Sequence, residues 1–465
     1  MKEHIMQHFH DFLMGLMEVD PFKAGLLAAI GAIAAMMANR GIAVFHDGLR
    51  PLLPEYLEGR MSRKALAATS FALSIGLVVG FGIPFSLTAP IVLVHSLLLG
   101  TDMIGIWCAN SRRGFIASGI IGALYAIALL AGLRSVVELF AMLPVNFTDD
   151  LKKVGDPIVA CFALFPAMVV GYQYGYRKGL LVMLTALIGY LATKAAGPLS
   201  FGGLIEKPVS VDPNGAALLL SMIAMFYFAM RERPAHLADN TPSANQTSAA
   251  PKGANEILVG LFSTRIERIQ KNKWLLILCG GLTASAATMS FSLLAEGPVS
   301  LQLMAQDEQT NALLVALARA IGFVPLVGTT AIATGVYSPN GMKFVFVAGL
   351  ATNNPWLAFI AGGFTMFIEI QLLAKIAIWL DKYPGVKACS GHIRTAITKM
   401  LEVALLVGGM IASNAILPGM GFMIVAGIYL LNRTSKRPLV EMAIGPIATI
   451  AVGILANVLY LAGIN

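Results

Sequence analysis

Arg319-Ala-Ile-Gly-Phe-Val-Pro-Leu-Val-Gly-Thr-Thr-Ala-Ile-Ala-Thr-Gly-Val-Tyr337 is the stretch that decides how this chain is read. It lies inside an apolar span, yet it carries an arginine, a proline, three glycines and three threonines. A plain membrane-crossing helix has no use for that set. A backbone that bends and offers polar groups at membrane depth does, because irregular backbone survives there only where protein or a water-filled cavity satisfies it. The stretch therefore predicts half of a substrate or ion site, with its mate in the first half of the chain.

The surroundings set the class. Of the 465 residues, 57% are hydrophobic and 12% charged, and mean hydropathy is +0.75. Soluble domains carry roughly 25% charged residues. Apolar runs of about twenty residues, enough to cross about 30 Å of hydrocarbon, recur along the chain. The expectation is an all-α polytopic membrane protein with about 12–14 transmembrane helices. The net charge of +8 resides mainly in loops, where it speaks to orientation rather than to nucleic acid. Cys108, Cys161, Cys279 and Cys389 form no CxxC or metal spacing and read as small hydrophobes.

The domain reading has four parts. Residues 1–21 form an N-terminal amphipathic extension, with His4, His8 and His10 on an interfacial helix in preference to a metal site. Residues 22–230 form a first transmembrane repeat, and residues 274–465 a second. Between them, residues 231–273 form a cytoplasmic segment. Its Ser-, Thr-, Asn- and Pro-rich part, Pro234–Asn255, is a flexible linker. Its end, Ile257–Asn272, reads either as a basic amphipathic helix on the membrane or as the solvated entry into the next span. With the linker inside, most of the 33 Lys and Arg fall in inside loops, and the outside loop 296–311 holds none.

Seven spans before the linker and seven after it face opposite ways, which is the arithmetic of an inverted repeat. Leu99-Gly-Thr-Asp102 matches Leu350-Ala-Thr-Asn353, and Phe115-Ile-Ala-Ser-Gly119 matches Phe359-Ile-Ala-Gly-Gly363, in the same order. Shared apolar composition is the alternative explanation. Spans 3 (Thr88–Trp107) and 10 (Met342–Ala351) are expected to be broken, at Gly100-Thr101-Asp102 and at Thr352-Asn-Asn-Pro355. By layout alone, the arrangement looks like the seven-plus-seven fold of nucleobase and sulphate permeases.

Candidate substrate- or ion-binding residues follow from intramembrane polarity. Asp102, beside Thr101, is either a proton or sodium site or an interfacial acid facing water. Glu369 sits in mid-span as a titrating group, or else pairs with a cation such as Arg319 or Lys375. Glu402 is a site acid or a carboxylate stabilising a helix N-terminus. Arg319 binds an anion through its planar fork or snorkels to the surface. Thr329, Thr330 and Thr334 serve the site or hydrogen-bond to a bent helix, and Asn353 and Asn354 are neutral readers of a polar solute. His46, Asp47 and Arg50 make a gate or loop lock. No nucleophile elbow, HExxH or Walker loop is present, so no enzyme and no cofactor beyond a coupling ion is expected.

Phe45-His-Asp-Gly-Leu-Arg-Pro51, Thr101-Asp102, Gly322-Phe-Val-Pro-Leu326, Ala333-Thr-Gly-Val-Tyr337 and Glu402-Val-Ala-Leu-Leu-Val-Gly408 resemble the YhfT family of bacterial inner-membrane proteins. The resemblance runs from about Ile33 onward, with the first twenty residues and the linker as additions. It implies a multi-pass plasma-membrane transporter and supplies no substrate. The expected function is secondary active transport of a small polar or anionic solute, coupled to H+ or Na+, with alternating access between the halves. The alternatives are the membrane subunit of a multi-component, phosphotransferase-like uptake system, or a channel. Expected partners are the lipid bilayer and a small solute, not nucleic acid, and the chain also allows a homo-oligomer.

Overall fold

The computed structural model describes residues 20–78, 82–86, 91–147, 150–151, 153–154, 156–197, 213–231, 261–436, 438 and 441–464. The N-terminal extension up to residue 19 and the Pro234–Asn255 linker lie outside the described residues. The first half runs α1 (Pro21–Arg40), α2 (Arg63–Leu77), β1 (Val92–Leu93), α3 (Val94–Trp107), α4 (Arg112–Ala141), α5 (Phe165–Tyr174), α6 (Tyr176–Ala196) and α7 (Pro213–Arg231). The second begins with α8 (Leu261–Lys271), α9 (Lys273–Ala287), β2 (Leu294–Ala295), α10 (Pro298–Ala305) and α11 (Gln309–Thr334). It continues through α12 (Phe344–Leu350), α13 (Pro355–Leu380), α14 (Pro384–Ile416), α15 (Met420–Thr434) and α16 (Glu441–Leu461).

Among the described residues, seven helices are long and apolar enough to cross a membrane, and bent α11 brings the number to eight. They are α1, α6, α7, α13, and most of α4, α14 and α16. Helices α9 and α15 are apolar but shorter. The polarity is inverted relative to a water-soluble protein. Leu124 on α4, Ile188 on α6 and Ile360 and Phe364 on α13 are exposed, while Arg50, Asp102 and Glu296 are buried. Exposed apolar faces of this extent around a polar interior fit contact with lipid. The protein is a helical, multi-pass membrane protein.

Helices start where the sequence supplies caps. Asp20 accepts from the Phe22 amide and Asn354 from the Trp356 and Leu357 amides, each followed by proline at the first helical position. Helix α11 bends by 42° between Val324 and Leu326, at Pro325. Proline cannot donate to the preceding turn, which is a sufficient cause for such a kink.

Small residues set the closest helix contacts. Helix α1 packs on α3 and α4, and α9 packs on α12 and α13. A Cβ on Gly31 of α1 would lie 2.5 Å from the Gly122 carbonyl of α4. A Cβ on Gly362 of α13 would lie 2.7 Å from the Gly280 carbonyl of α9. In both pairs the backbones touch because neither partner carries a side chain there, the usual device where lipid provides no hydrophobic drive between helices.

Two parallel pairings cross between the halves. Strand β1 pairs with β2, in register Val92 to Leu294 and Leu93 to Ala295. Ala43, just past α1, pairs with Tyr337, just past α11.

The expected break in span 3 differs from what is observed, and two further segments are defined by the fold. Helix α3 runs unbroken through Gly100–Asp102, and the extended backbone lies ahead of it, at β1. Buried Thr101 donates to the Leu98 carbonyl, 2.9 Å away, within the helix, so its hydroxyl needs no break to be satisfied. The polar segment after Tyr383 is helical. Pro384 opens α14, which continues into the apolar run. Helix α8 packs against α11 and α13. Its Phe262, Ile266 and Ile269 are buried, and Asp381 accepts from the Phe262 and Ser263 amides at 3.0 Å each. Tertiary contacts rather than a bilayer surface cover its apolar face.

Candidate functional site

After Gly41, whose left-handed φ of 61° ends α1, the chain is extended. Val44 donates to the Tyr337 carbonyl at 3.0 Å, and Tyr337 donates to Ile42 at 3.2 Å. Asp102 on α3 receives the next two amides, Phe45 at 3.1 Å and His46 at 2.8 Å, one on each carboxylate oxygen. Arg50, 1% exposed, uses its whole guanidinium. Nε donates to Val44 O at 3.1 Å, Nη2 to Phe45 O at 3.1 Å, and Nη1 to Thr330 Oγ1 at 2.8 Å. Nη1 also pairs with Asp47 at 2.7 Å. The planar fork thus pins one irregular segment to α11, a role that lysine's point charge does not fill.

The opposite wall is built by the segment between α11 and α12. Tyr337 donates its hydroxyl to Glu369 Oε2 at 2.6 Å, and the Met342 amide donates to the same oxygen at 2.8 Å. Glu369 Oε1 has no hydrogen-bond partner. Gly341, at φ 59°, leaves no room for a Cβ against the Glu369 carboxylate. Lys343 adopts φ 75°, a left-handed conformation uncommon for a residue with a side chain. Its Nζ lies 3.6 Å from Glu296 and 3.9 Å from the Phe323 ring centroid. Arg319 approaches the other oxygen of the same Glu296 at 3.4 Å. Glu296, directly after β2, is fully buried and serves two cations.

Between these walls is a cavity of about 90 Å³. His46, Asp47 and Arg50 line it from the first half, and Arg319, Asn340 and Lys343 from the second. Leu77, Leu99, Phe323 and Val327 supply apolar wall. His46 accepts the Gly48 amide at Nδ1, 2.9 Å away, so its Nε2 carries the proton, and that Nε2 has no hydrogen-bond partner. Asn340 Oδ1 accepts from Ser338 at 2.5 Å, and its Nδ2 has no hydrogen-bond partner. Each such buried donor left unmade costs about 1–3 kcal/mol.

A family model, YhfT, described as "Protein of unknown function", matches residues 23–465. The chain belongs to the YhfT family. It is 32% identical over 449 residues to the "Uncharacterized protein YhfT" of Escherichia coli (strain K12), covering 94% of this chain and 97% of that protein. No solved structure matches. The match begins at residue 23, ahead of the first motif that carries the resemblance.

In this YhfT-family chain the residues singled out from sequence fall into three groups. Arg319, His46, Asp47 and Arg50 line the cavity. Asp102, Glu369 and Thr330 stand behind the wall and hold its backbone or Arg50. Neither Arg319 nor Lys375 is the partner that Glu369 uses; Tyr337 and the Met342 amide are. The rest lie elsewhere. Thr101 and Thr334 donate to carbonyls of their own helices, and Thr329 is half-buried off the cavity wall. Asn353 and Asn354 are exposed, and Asn354 is spent as the α13 cap. Glu402 pairs with Lys399 at 2.9 Å and with Tyr429 at 3.4 Å, although its neighbour Leu401 reaches the cavity.

Glu296, Asn340 and Lys343 escaped the sequence reading. Lys343 had a usable signal, a solitary cation between two apolar stretches. Glu296 had none, because it opens a segment whose composition reads as an outside loop.

Proposed function

We propose that the protein is a secondary active transporter, not an enzyme, that carries a small polar or anionic solute across the bacterial inner membrane by alternating access between two inverted halves. The observation that carries this reading is the buried charged cavity between irregular segments of both halves, beside the middle turns of α11. Non-helical backbone and ionisable groups in such a position serve substrate or ion pathways by default.

The two pairings support an inverted repeat of about seven spans each. Exchanging α1 with α9, α3 with α12 and α4 with α13 turns the Ala43–Tyr337 pairing into the β2–β1 pairing. The same exchange turns the glycine contact of α1 on α4 into that of α9 on α13. On this reading, extended backbone at β1 interrupts span 3, its counterpart at Tyr337 leads into span 10, and the 231–273 segment is cytoplasmic. Asp102 and Glu369 are then the coupling groups. A proton or Na+ arriving at either carboxylate competes with the amides it holds and loosens one wall of the cavity.

The test is uptake by purified protein in liposomes, with a panel of small solutes under an imposed pH or Na+ gradient. Accumulation above equilibrium, collapsed by an ionophore, is the expected outcome. Equilibration without accumulation indicates a channel, and uptake that requires a soluble fraction indicates a multi-component permease. Either result ends the proposal.

A further inference from the structure

The solute class can be taken further, on the footing of the transport reading above. The cavity wall is rich in donors and poor in acceptors. Its charged groups resolve into two sets. Arg50 and Asp47 are an ion pair, and the remaining bonds of Arg50 go to Val44, Phe45 and Thr330. Arg319 and Lys343 share the single carboxylate of Glu296. The second set is therefore one positive charge in excess at the wall. Asp102 and Glu369 do not reach the wall, and backbone amides or a phenol cover the oxygens they use.

Beside this excess stand two buried donors with nothing to donate to, Asn340 Nδ2 and His46 Nε2. Asn340 is 1% exposed and His46 4%. Neutral donors without an acceptor and cations that share one are arranged for an acceptor-only group. A cationic solute meets repulsion from Arg319 and Lys343. A sugar or other hydroxyl-bearing solute needs acceptors for its own hydrogens, and the carboxylates of Asp47 and Glu296 are already held in ion pairs.

The rest of the wall narrows the anion. Leu77, Leu99, Phe323 and Val327 face the same space. An inorganic oxyanion presents acceptors on all sides and loses hydration against such a wall without compensation. A carboxylate with a compact hydrocarbon body places each part against its complement, the apolar part gaining roughly 25 cal/mol per Å² buried. We infer that the cavity binds a small organic monocarboxylate, its carboxylate at Arg319, Lys343 and Asn340 and its apolar body against Leu77, Leu99 and Phe323.

The experiment is equilibrium binding to full-length purified protein in detergent, by calorimetry and thermal shift, so that no transport step is involved. The probes are a carboxylate series from acetate through isobutyrate to benzoate, the neutral isostere benzamide, the cation benzylammonium, and sulfate. Benzoate or isobutyrate is expected to bind and raise the melting temperature, with benzamide, benzylammonium and sulfate at least about tenfold weaker.

Asn340→Asp keeps the oxygen that Ser338 uses but turns the donor into an anion, and should weaken carboxylate binding by at least about tenfold. Lys343→Gln should do the same. Gel filtration and the ligand-free melting temperature report on folding of both variants, and Asn340→Asp remains the decisive one if Lys343→Gln misfolds. Benzamide or sulfate binding as well as the carboxylates overturns the inference. So does a folded Asn340→Asp protein with unchanged affinity, or a carboxylate series that does not bind at all. Carboxylate binding without uptake ends the transport reading alone. Uptake of a neutral or cationic solute without carboxylate binding ends this inference alone.

Discussion

The two walls of the cavity solve one problem in different ways. In the first half, Asp102 spends each oxygen on a backbone amide, and Arg50 spends every nitrogen of its guanidinium. In the second, Glu369 puts two donors on one oxygen and leaves the other bare, while Lys343 has one carboxylate, shared with Arg319. The Asp102 and Arg50 network is saturated, whereas the second wall holds unused capacity. A saturated buried network is rigid and expensive to cut. Unused donors beside a cavity are what a ligand engages. The difference assigns support to the Arg50 side and ligand contact to the Lys343 side.

The strongest challenge to that division is Arg50→Leu. It orphans the Val44 and Phe45 carbonyls and leaves Asp47 without its cation. Breaking a buried charge network in this way costs about 3–5 kcal/mol. The expected result is a large drop in melting temperature or loss of a monodisperse peak, with no rescue by Arg50→Lys. A folded Arg50→Leu protein of normal stability would show that the first wall is not the support.

A finer comparison sets Asp102→Asn against Glu369→Gln. Asparagine at 102 turns one acceptor into an amide that faces a backbone N–H, and should cost about 2–3 kcal/mol. Glutamine at 369 can keep its oxygen on Tyr337 and Met342, with the nitrogen where no partner now stands, and should cost about 1 kcal/mol. Denaturation in detergent reads both. Equal losses would remove the asymmetry, and normal gradient-driven uptake by both variants would remove the two acids from coupling. The smallest effect belongs to Tyr337→Phe. It deletes one hydrogen bond and leaves the Met342 amide on Glu369, so a loss of about 1 kcal/mol is expected. A much larger loss would mean that the phenol, not the amide, holds that wall.

Parts of this site were legible in the chain. Arg319 and Arg50 stood out because a cation in or beside an apolar run has few places to go. Pro325 announced the bend in α11 because the missing amide is a property of the residue itself. Asn353 and Asn354 misled because asparagine before proline equally describes a helix cap, and a cap needs only local partners. The break expected at Gly100–Asp102 misled for a related reason. Glycine, threonine and aspartate are tolerated inside a helix when the hydroxyl turns back on its own turn and the acid finds amides elsewhere.

Composition and apolar run length alone determined that this is a helical membrane protein, because hydrocarbon leaves a spanning backbone few ways to satisfy itself. Local chemistry determined the caps and the kink. Only the tertiary structure decided which buried charges are satisfied by the fold and which are left for a ligand. Arg50 meets Thr330, Lys343 meets Glu296, and Asp102 meets Phe45 and His46 only after distant segments pack together. Whether a buried polar group has a partner depends on where its neighbours in space fall, which no local stretch of sequence specifies.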